Sequence, residues 1–194
     1  MLLKVVSYRA EWPRIFSDWK RRIDGAISMS NSALDHVGST AVPDLEAKPI
    51  IDIQLRVPSI DEAKARLTSD LEPLGFEFRP GTNHDRPPPW LGISEKEWRK
   101  LYFRTSLELD HPVHLHVRTI GSSNARYALL FRDYLRANGV ARTAYGKFKL
   151  LLSEQTAETS APGGTGSYQE LKDPIFDLLY HAAELWAQQV NWRC

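Results

Sequence analysis

Three groups of residues in this chain have types and spacings suited to phosphate and metal chemistry. The run His36-Val37-Gly38-Ser39-Thr40-Ala41-Val42-Pro43 holds a Gly-Ser turn. Glycine there can adopt a backbone conformation closed to other residues, with backbone N–H groups and the Ser39 and Thr40 hydroxyls facing an anion. Lys48-Pro49-Ile50-Ile51-Asp52-Ile53 follows, and sets one carboxylate in an apolar, β-prone run. A carboxylate in such surroundings is costly unless it is paired, hydrogen-bonded or metal-bound. Farther on, His114-x-His116 puts two imidazoles on one face of a strand, where they can ligate a metal. Together these residues read as a phosphate cradle beside a metal-binding carboxylate, as used by proteins that handle nucleoside triphosphates.

Each group also has a plainer reading. Gly38-Ser39-Thr40 can be an ordinary capped turn, Asp52 can be paired with Lys48 or an arginine, and the histidines can be hydrogen-bonded without metal. The cations that would serve a phosphate are scattered. Arg104, on a strand beside the histidines, would bind phosphate bidentately. Tyr145 with Lys149 and Tyr168 with Lys172 have i,i+4 spacing, so each lysine projects beside its tyrosine on a helix. Arg132 lies in Phe131-Arg132-Asp133-Tyr134, where the aromatics would be buried and the arginine exposed or salt-bridged. The segment Pro162 to Gly166 lacks the Lys-Ser/Thr ending of a phosphate loop and reads as a linker.

These residues need elements to position them. From Glu11 to Ile27 apolar residues recur every three or four positions, which predicts an amphipathic helix. Ala33 to Val37 reads as a short strand entering the Gly-Ser turn, and Lys48 to Val57 as a longer one. Ser59 is the expected cap of a helix that ends before Pro73. Leu74 to Phe78 reads as a strand, and Arg79 to Gly92, with four prolines and two glycines, as irregular chain. Arg99 to Val117 alternates like a hairpin that turns at Asp110-His111-Pro112, with Tyr102, Arg104, Ser106 and Glu108 on one face. From Ser122 onward the pattern is helical, with a second helix over Ala141 to Glu158, a connection over Thr159 to Ser167, and a helix from Tyr168 to Trp192 that Pro174 would kink or restart.

The chain has 194 residues, 42% of them hydrophobic, enough for one compact core with a modest appendage. Lys and Arg total 25 against 24 acids, so no overall field favours nucleic acid or an anionic membrane, and affinity for phosphate must be local. The single cysteine, Cys194, excludes an internal disulfide or a cysteine-based zinc site within the chain and fits a reducing compartment. No apolar run approaches the roughly 20 residues needed to cross a bilayer, and Met1 to Val6 is too short for a signal segment, so a cytoplasmic location is expected.

Together, His36-Val-Gly-Ser-Thr-Ala-Val-Pro, Ala47-Lys-Pro-Ile-Ile-Asp-Ile53, His114-Leu-His-Val117, Phe131-Arg-Asp-Tyr-Leu-Arg136, Ala144-Tyr-Gly-Lys-Phe-Lys149, Tyr168-Gln-Glu-Leu-Lys172 and the early Tyr8-Arg-Ala-Glu-Trp-Pro13 resemble the GrpB family over nearly the whole chain. That family is similar to the nucleotidyltransferase superfamily. The resemblance implies an α+β fold: a nucleotidyltransferase-like mixed sheet flanked by helices over 1–120, with a helical C-terminal region over 121–194. Carried over, Gly38 and Ser39 match the superfamily's Gly-Ser and Asp52 its first, catalytic acid; in a transferase Gly38, Ser39 and Thr40 would hold phosphates and Lys48, Arg104, Arg132, Lys149 or Lys172 would neutralise charge on leaving pyrophosphate. The superfamily expects a second acid two residues after the first, where this chain has Gln54, and a third on a later strand, where it has His114 and His116. Asp44 stands where the family usually has glycine. The metal expected on Asp52, His114 and His116 is therefore one tolerant of nitrogen, manganese or zinc before magnesium. Some relatives are fused to dephospho-CoA kinase, but this chain has no kinase phosphate loop. Two functions follow: nucleotidyl transfer from a nucleoside triphosphate to an unknown acceptor, with hydrolysis as its variant when water accepts, or a binding module for a nucleotide or anionic metabolite that has lost the chemistry.

Overall fold

The computed structural model describes residues 4–92, 94–158 and 168–194. Its centre is a five-stranded mixed sheet in the order β1-β2-β5-β4-β3, formed by β1 (Ala33–Val37), β2 (Ile51–Val57), β3 (Glu77–Phe78), β4 (Leu101–Arg104) and β5 (Val113–Thr119). β2 and β5 run parallel, and the other neighbours are antiparallel. This is an α+β fold of the nucleotidyltransferase-like kind.

The period of two along each strand gives the sheet two unlike faces. Ile51, Ile53, Leu55 and Val57 of β2 and Val113, Leu115 and Val117 of β5 face a core completed by α1 (Trp12–Ala26) and α2 (Ile60–Leu71). From α1 come Trp12, Trp19 and Ile23, spaced as one helical stripe, while ion pairs such as Lys20–Asp24 at 2.7 Å stay outside. Ser59 caps α2 by accepting from the Glu62 N–H at 3.3 Å. The opposite face carries Asp52 and Gln54 of β2, His114, His116 and Arg118 of β5, and Tyr102 and Arg104 of β4.

That polar face meets the helical half, made of α3 (Ser123–Ala137), α4 (Gly139–Glu158) and α5 (Tyr168–Val190). A second apolar cluster joins Leu130, Phe131 and Tyr134 of α3, Tyr145 of α4 and Tyr180, Ala183 and Ala187 of α5, and reaches back to Val42 and Leu45. The helices thus pack on the segment just past the Gly-Ser turn.

Several expected boundaries shift. β2 starts at Ile51 rather than Lys48, because Pro49 has no N–H for the ladder. The expected strand over Leu74 to Phe78 shrinks to Glu77–Phe78, since Glu72–Leu74 form a one-turn 3₁₀ segment ended by Gly75 at φ +86°. The hairpin ladder between β4 and β5 stops near Thr105, whose hydroxyl accepts from the Val113 N–H at 2.9 Å, so Ser106 and Glu108 lie in the turn. α5 runs through Pro174 as one helix. The expected connection over Thr159 to Ser167 and the side chain of Tyr168 lie outside the described residues.

Candidate metal and phosphate site

β1 delivers the chain into the Gly-Ser turn, and β2 brings Asp52 directly beneath it. Gly38 has φ +70°, and a Cβ placed on it would lie 2.4 Å from Asp52 Oδ2 and 2.8 Å from Asp52 Cβ. Only glycine permits both the conformation and the approach. Ser39–Ala41 continue as a single 3₁₀ turn. Helix α3 grips the chain on either side of it: Arg132 donates to the His36 carbonyl at 3.1 Å, and Arg136 donates to the Ala41 carbonyl at 2.8 and 3.0 Å. From α4, Lys149 donates to Ser39 Oγ at 2.9 Å and to the Glu46 carbonyl.

The parallel pairing of β2 with β5 sets Asp52 opposite His114 and Gln54 opposite His116. Asp52 Oδ1 then lies 3.5 Å from His114 Nδ1 and 3.6 Å from His116 Nε2. The potential ligand atoms of the three residues all fall within 4.8 Å of one another. The carboxylate–imidazole distances exceed an ordinary N–H···O hydrogen bond, but ligands about 2.1 Å from one tetrahedral metal stand about 3.4 Å apart. The donor set and its spacing therefore fit a transition metal, and suit magnesium less well. Burial works against charge on Asp52, yet the His114 and His116 imidazoles outweigh it and hold the carboxyl well below the usual range. His116 is lowered to about 4 by burial and then by the Lys100 charge, so it is neutral at pH 7, as a ligand must be. Its Nδ1, however, lies 3.4 Å from Lys100 Nζ. An acceptor is the usual partner at that position of a ligating imidazole, so an ammonium there weakens metal binding.

Beside this group lies a closed polar network that the sequence did not announce. Asp85, from the proline-rich stretch, accepts from Lys100 at 2.6 Å, Arg118 at 2.8 Å and Asn124 at 3.1 Å. Burial opposes its charge, but Arg118 and Lys100 keep it ionised. Gln54, fully buried, accepts from Arg118 at 2.8 Å and donates to the Ala125 carbonyl at 3.2 Å. The position where a second metal carboxylate would stand is thus tied to an arginine and a helix carbonyl. Two of these groups left a trace in the alternation, because Arg118 extends His114-x-His116 by one more step and Lys100 precedes Tyr102 and Arg104 on β4. Asp85 left none, since irregular chain has no period to read.

A cleft of about 260 Å³ opens beside both groups. One wall holds Gly38, Ser39, Asp52, His116 and Lys172, and another is aromatic, with Trp98, Tyr127, Phe131 and Phe176. Arg86, next to Asp85, closes the rim by pairing with Asp177 at 2.8 Å and Asp173 at 3.4 Å on α5. Lys172 is lowered to about 8, chiefly by burial and partly restored by the Asp52 charge.

Of the residues singled out in the sequence, Gly38, Ser39, Asp52, His116 and Lys172 line the cleft, while His114, beside Asp52, and Lys149, against Ser39, stand outside its lining. Thr40 is turned away: it is buried, its hydroxyl donates to the Ile50 carbonyl at 3.1 Å, and it contacts His36 Nε2 at 3.1 Å. Arg132 is engaged by Asp133 at 2.7 Å and the His36 carbonyl, so it braces the turn instead of facing the cleft. Arg104 sits opposite His114 in register but does not line the cleft. Lys48 is half-buried and also outside the lining, though its charge is felt at Lys172.

Comparison with known proteins agrees with this architecture. The family model described as GrpB protein matches residues 2–182. The chain belongs to the GrpB family. A crystal structure of conserved protein GrpB from Enterococcus faecalis superposes with a TM-score of 0.69 at 26% identity, covering 94% of this chain and 99% of that one. The UPF0157 protein BH1888 of Halalkalibacterium halodurans is 35% identical over 78% of this chain and 70% of its own length. A protein named dephospho-CoA kinase from Mycobacterium leprae is 33% identical over 82% of this chain, but the match spans only 41% of that protein. Terminal uridylyl transferase 4 from Trypanosoma brucei, with bound dUTP, shares the fold at TM-score 0.52 and 13% identity, covering 95% of this GrpB chain and 55% of the transferase. No helix among the described residues is long and apolar enough to cross a membrane.

Proposed function

We propose that this GrpB protein is a metal-dependent nucleotidyltransferase-like protein that takes a nucleoside triphosphate and a still unidentified acceptor. The observation that supports it most is the Gly38-Ser39 turn packed directly onto Asp52, with His114 and His116 completing a metal-sized group at the cleft. A divalent metal held by these three residues, manganese or zinc before magnesium, would supply positive charge to the triphosphate and to the departing pyrophosphate. The Gly38 and Ser39 backbone and the Ser39 hydroxyl would cradle phosphate oxygens. Lys172, at the cleft wall, would neutralise charge developing on the leaving group. The aromatic wall of Tyr127, Phe131 and Phe176 offers a flat apolar surface to a base, and the exposed Arg86 pairs with α5 border it. The dUTP carried by the uridylyl transferase that shares the fold is in keeping with this reading.

The test is titration with ATP, GTP, CTP and UTP, with and without manganese, followed by assay for pyrophosphate release in the presence of a pooled metabolite extract. Metal-dependent binding that Asp52→Ala removes is the expected result, and absence of binding for every nucleotide overturns the proposal. The way Gln54 is tied to Arg118 favours a second reading, a binding module that kept the cleft and lost transfer. Metal-independent nucleotide binding with no pyrophosphate release would select it.

A further inference from the structure

Lys149 is placed oddly for a phosphate-binding residue. It is 2% exposed and absent from the cleft lining, whereas Ser39, whose hydroxyl it contacts at 2.9 Å, does line the cleft. A cation meant for the triphosphate would face it, as Lys172 does. Lys149 instead approaches Ser39 from behind. One N–H of its amine is directed at the Glu46 carbonyl, and the Tyr145 ring lies 4.6 Å from Nζ. As an ammonium Lys149 donates to Ser39 Oγ; once neutral, with one N–H still on the Glu46 carbonyl, the same amine can turn its lone pair toward the serine hydroxyl. That is the arrangement of a nucleophile with its base.

The serine is equally fixed. Its carbonyl accepts from the Val42 N–H at 3.1 Å and the Gly38 carbonyl accepts from the Ala41 N–H at 3.3 Å. Arg132 and Arg136 hold the chain on either side. Burial, and then the Lys172 charge, lower Lys149 to about 7, so a neutral amine is present at neutral pH.

We propose that Ser39 is itself an acceptor of the nucleotidyl group, with Lys149 as the base that activates it. The inference rests on the reading above that the cleft takes a nucleoside triphosphate. In the step, a bond forms between Ser39 Oγ and the α-phosphorus while the bond from that phosphorus to the β-phosphate bridging oxygen breaks. Pyrophosphate leaves with the electron pair, and the hydroxyl proton passes to Lys149 Nζ, which becomes an ammonium. The product is a phosphodiester between the serine and a nucleoside monophosphate. It fills the phosphate end of the cleft, so the reaction stops at one equivalent per chain.

The experiment incubates the full chain with ATP, GTP, CTP or UTP and manganese chloride, then measures intact mass and maps the modified peptide. Binding of the non-transferable α,β-methylene ATP is measured in parallel by calorimetry. Expected is a mass gain of one nucleoside monophosphate on the peptide containing Ser39, lost in Ser39→Ala. In Lys149→Arg, which keeps a buried charge but cannot take the proton, the rate should fall about 100-fold or more while α,β-methylene ATP still binds. Lys149→Gln serves the same purpose if arginine strains the packing. Analogue binding without any adduct, an adduct on another residue, or an undiminished rate in both Lys149 variants overturns the inference and leaves the proposed function standing. Failure of the analogue and of all four triphosphates to bind overturns both.

Discussion

Asp52, on β2, and Asp85, in the chain that covers the same sheet face, are two partly buried carboxylates treated in opposite ways. Asp85 accepts from a lysine, an arginine and an asparagine, all between 2.6 and 3.1 Å. Asp52 has two imidazoles, neither closer than 3.5 Å. Both stay ionised against their burial, but one is satisfied by the fold and the other has room for something more. A carboxylate with complete partners stabilises architecture, and one with loose, metal-compatible partners is where chemistry can be added.

The contrast can be broken most forcefully at Asp85. Asp85→Asn leaves Lys100 and Arg118, each with a side chain only 7% exposed, without their anion. We expect a loss of about 3–5 kcal/mol in urea unfolding. Because the folded carboxyl is depressed, its contribution is present above the unfolded value near pH ~4 and is lost as pH falls toward the folded value, so acid unfolding of the wild type should steepen below that point and Asp85→Asn should lack the added slope. Asp52→Asn should cost less stability than Asp85→Asn, since it strands no buried cation, yet lose manganese or zinc affinity by more than the roughly 10- to 100-fold typical of outer-shell changes, as read by calorimetry. Equal destabilisation by the two substitutions would erase the distinction.

A subtler change sharpens it. Lys100→Gln replaces the ammonium 3.4 Å from His116 Nδ1 with an amide whose oxygen can accept the imidazole N–H. Metal affinity should rise roughly 10-fold, and a fall would show that Lys100 assists the ligand. The smallest effect is titration of Lys172. With its value near 8, triphosphate binding should take up protons and weaken several-fold between pH 7 and 9. Calorimetry in buffers of different ionisation heat reads that uptake, and Lys172→Met should abolish it.

Much of the fold was legible because its signals are local. The three- and four-residue spacing of Trp12, Ile15, Phe16, Trp19 and Ile23 specified α1, and the alternation through Ile51, Asp52 and Ile53 specified both β2 and the face its acid would take. Glycine at 38 marked a turn that the structure shows to be sterically obligatory. The cleft was only partly legible. Thr40, next to the Gly-Ser turn, and Arg132, in a motif shared with the family, looked like phosphate ligands, but a hydroxyl beside a buried imidazole and a guanidinium beside a carboxylate and a carbonyl found partners inside the fold.

What the sequence determined by itself is the set of elements and which side chains share a face, since helix and strand periods are fixed by the backbone. What tertiary structure alone decided is which faces meet. The parallel register that sets Asp52 against His114, the entry of Asp85 between Lys100 and Arg118, and the arrival of Lys149 behind Ser39 all join segments far apart in the chain. Such meetings follow from how the whole sheet and its helices pack, because strand register and helix docking are chosen by the summed burial of many residues and by no local pattern.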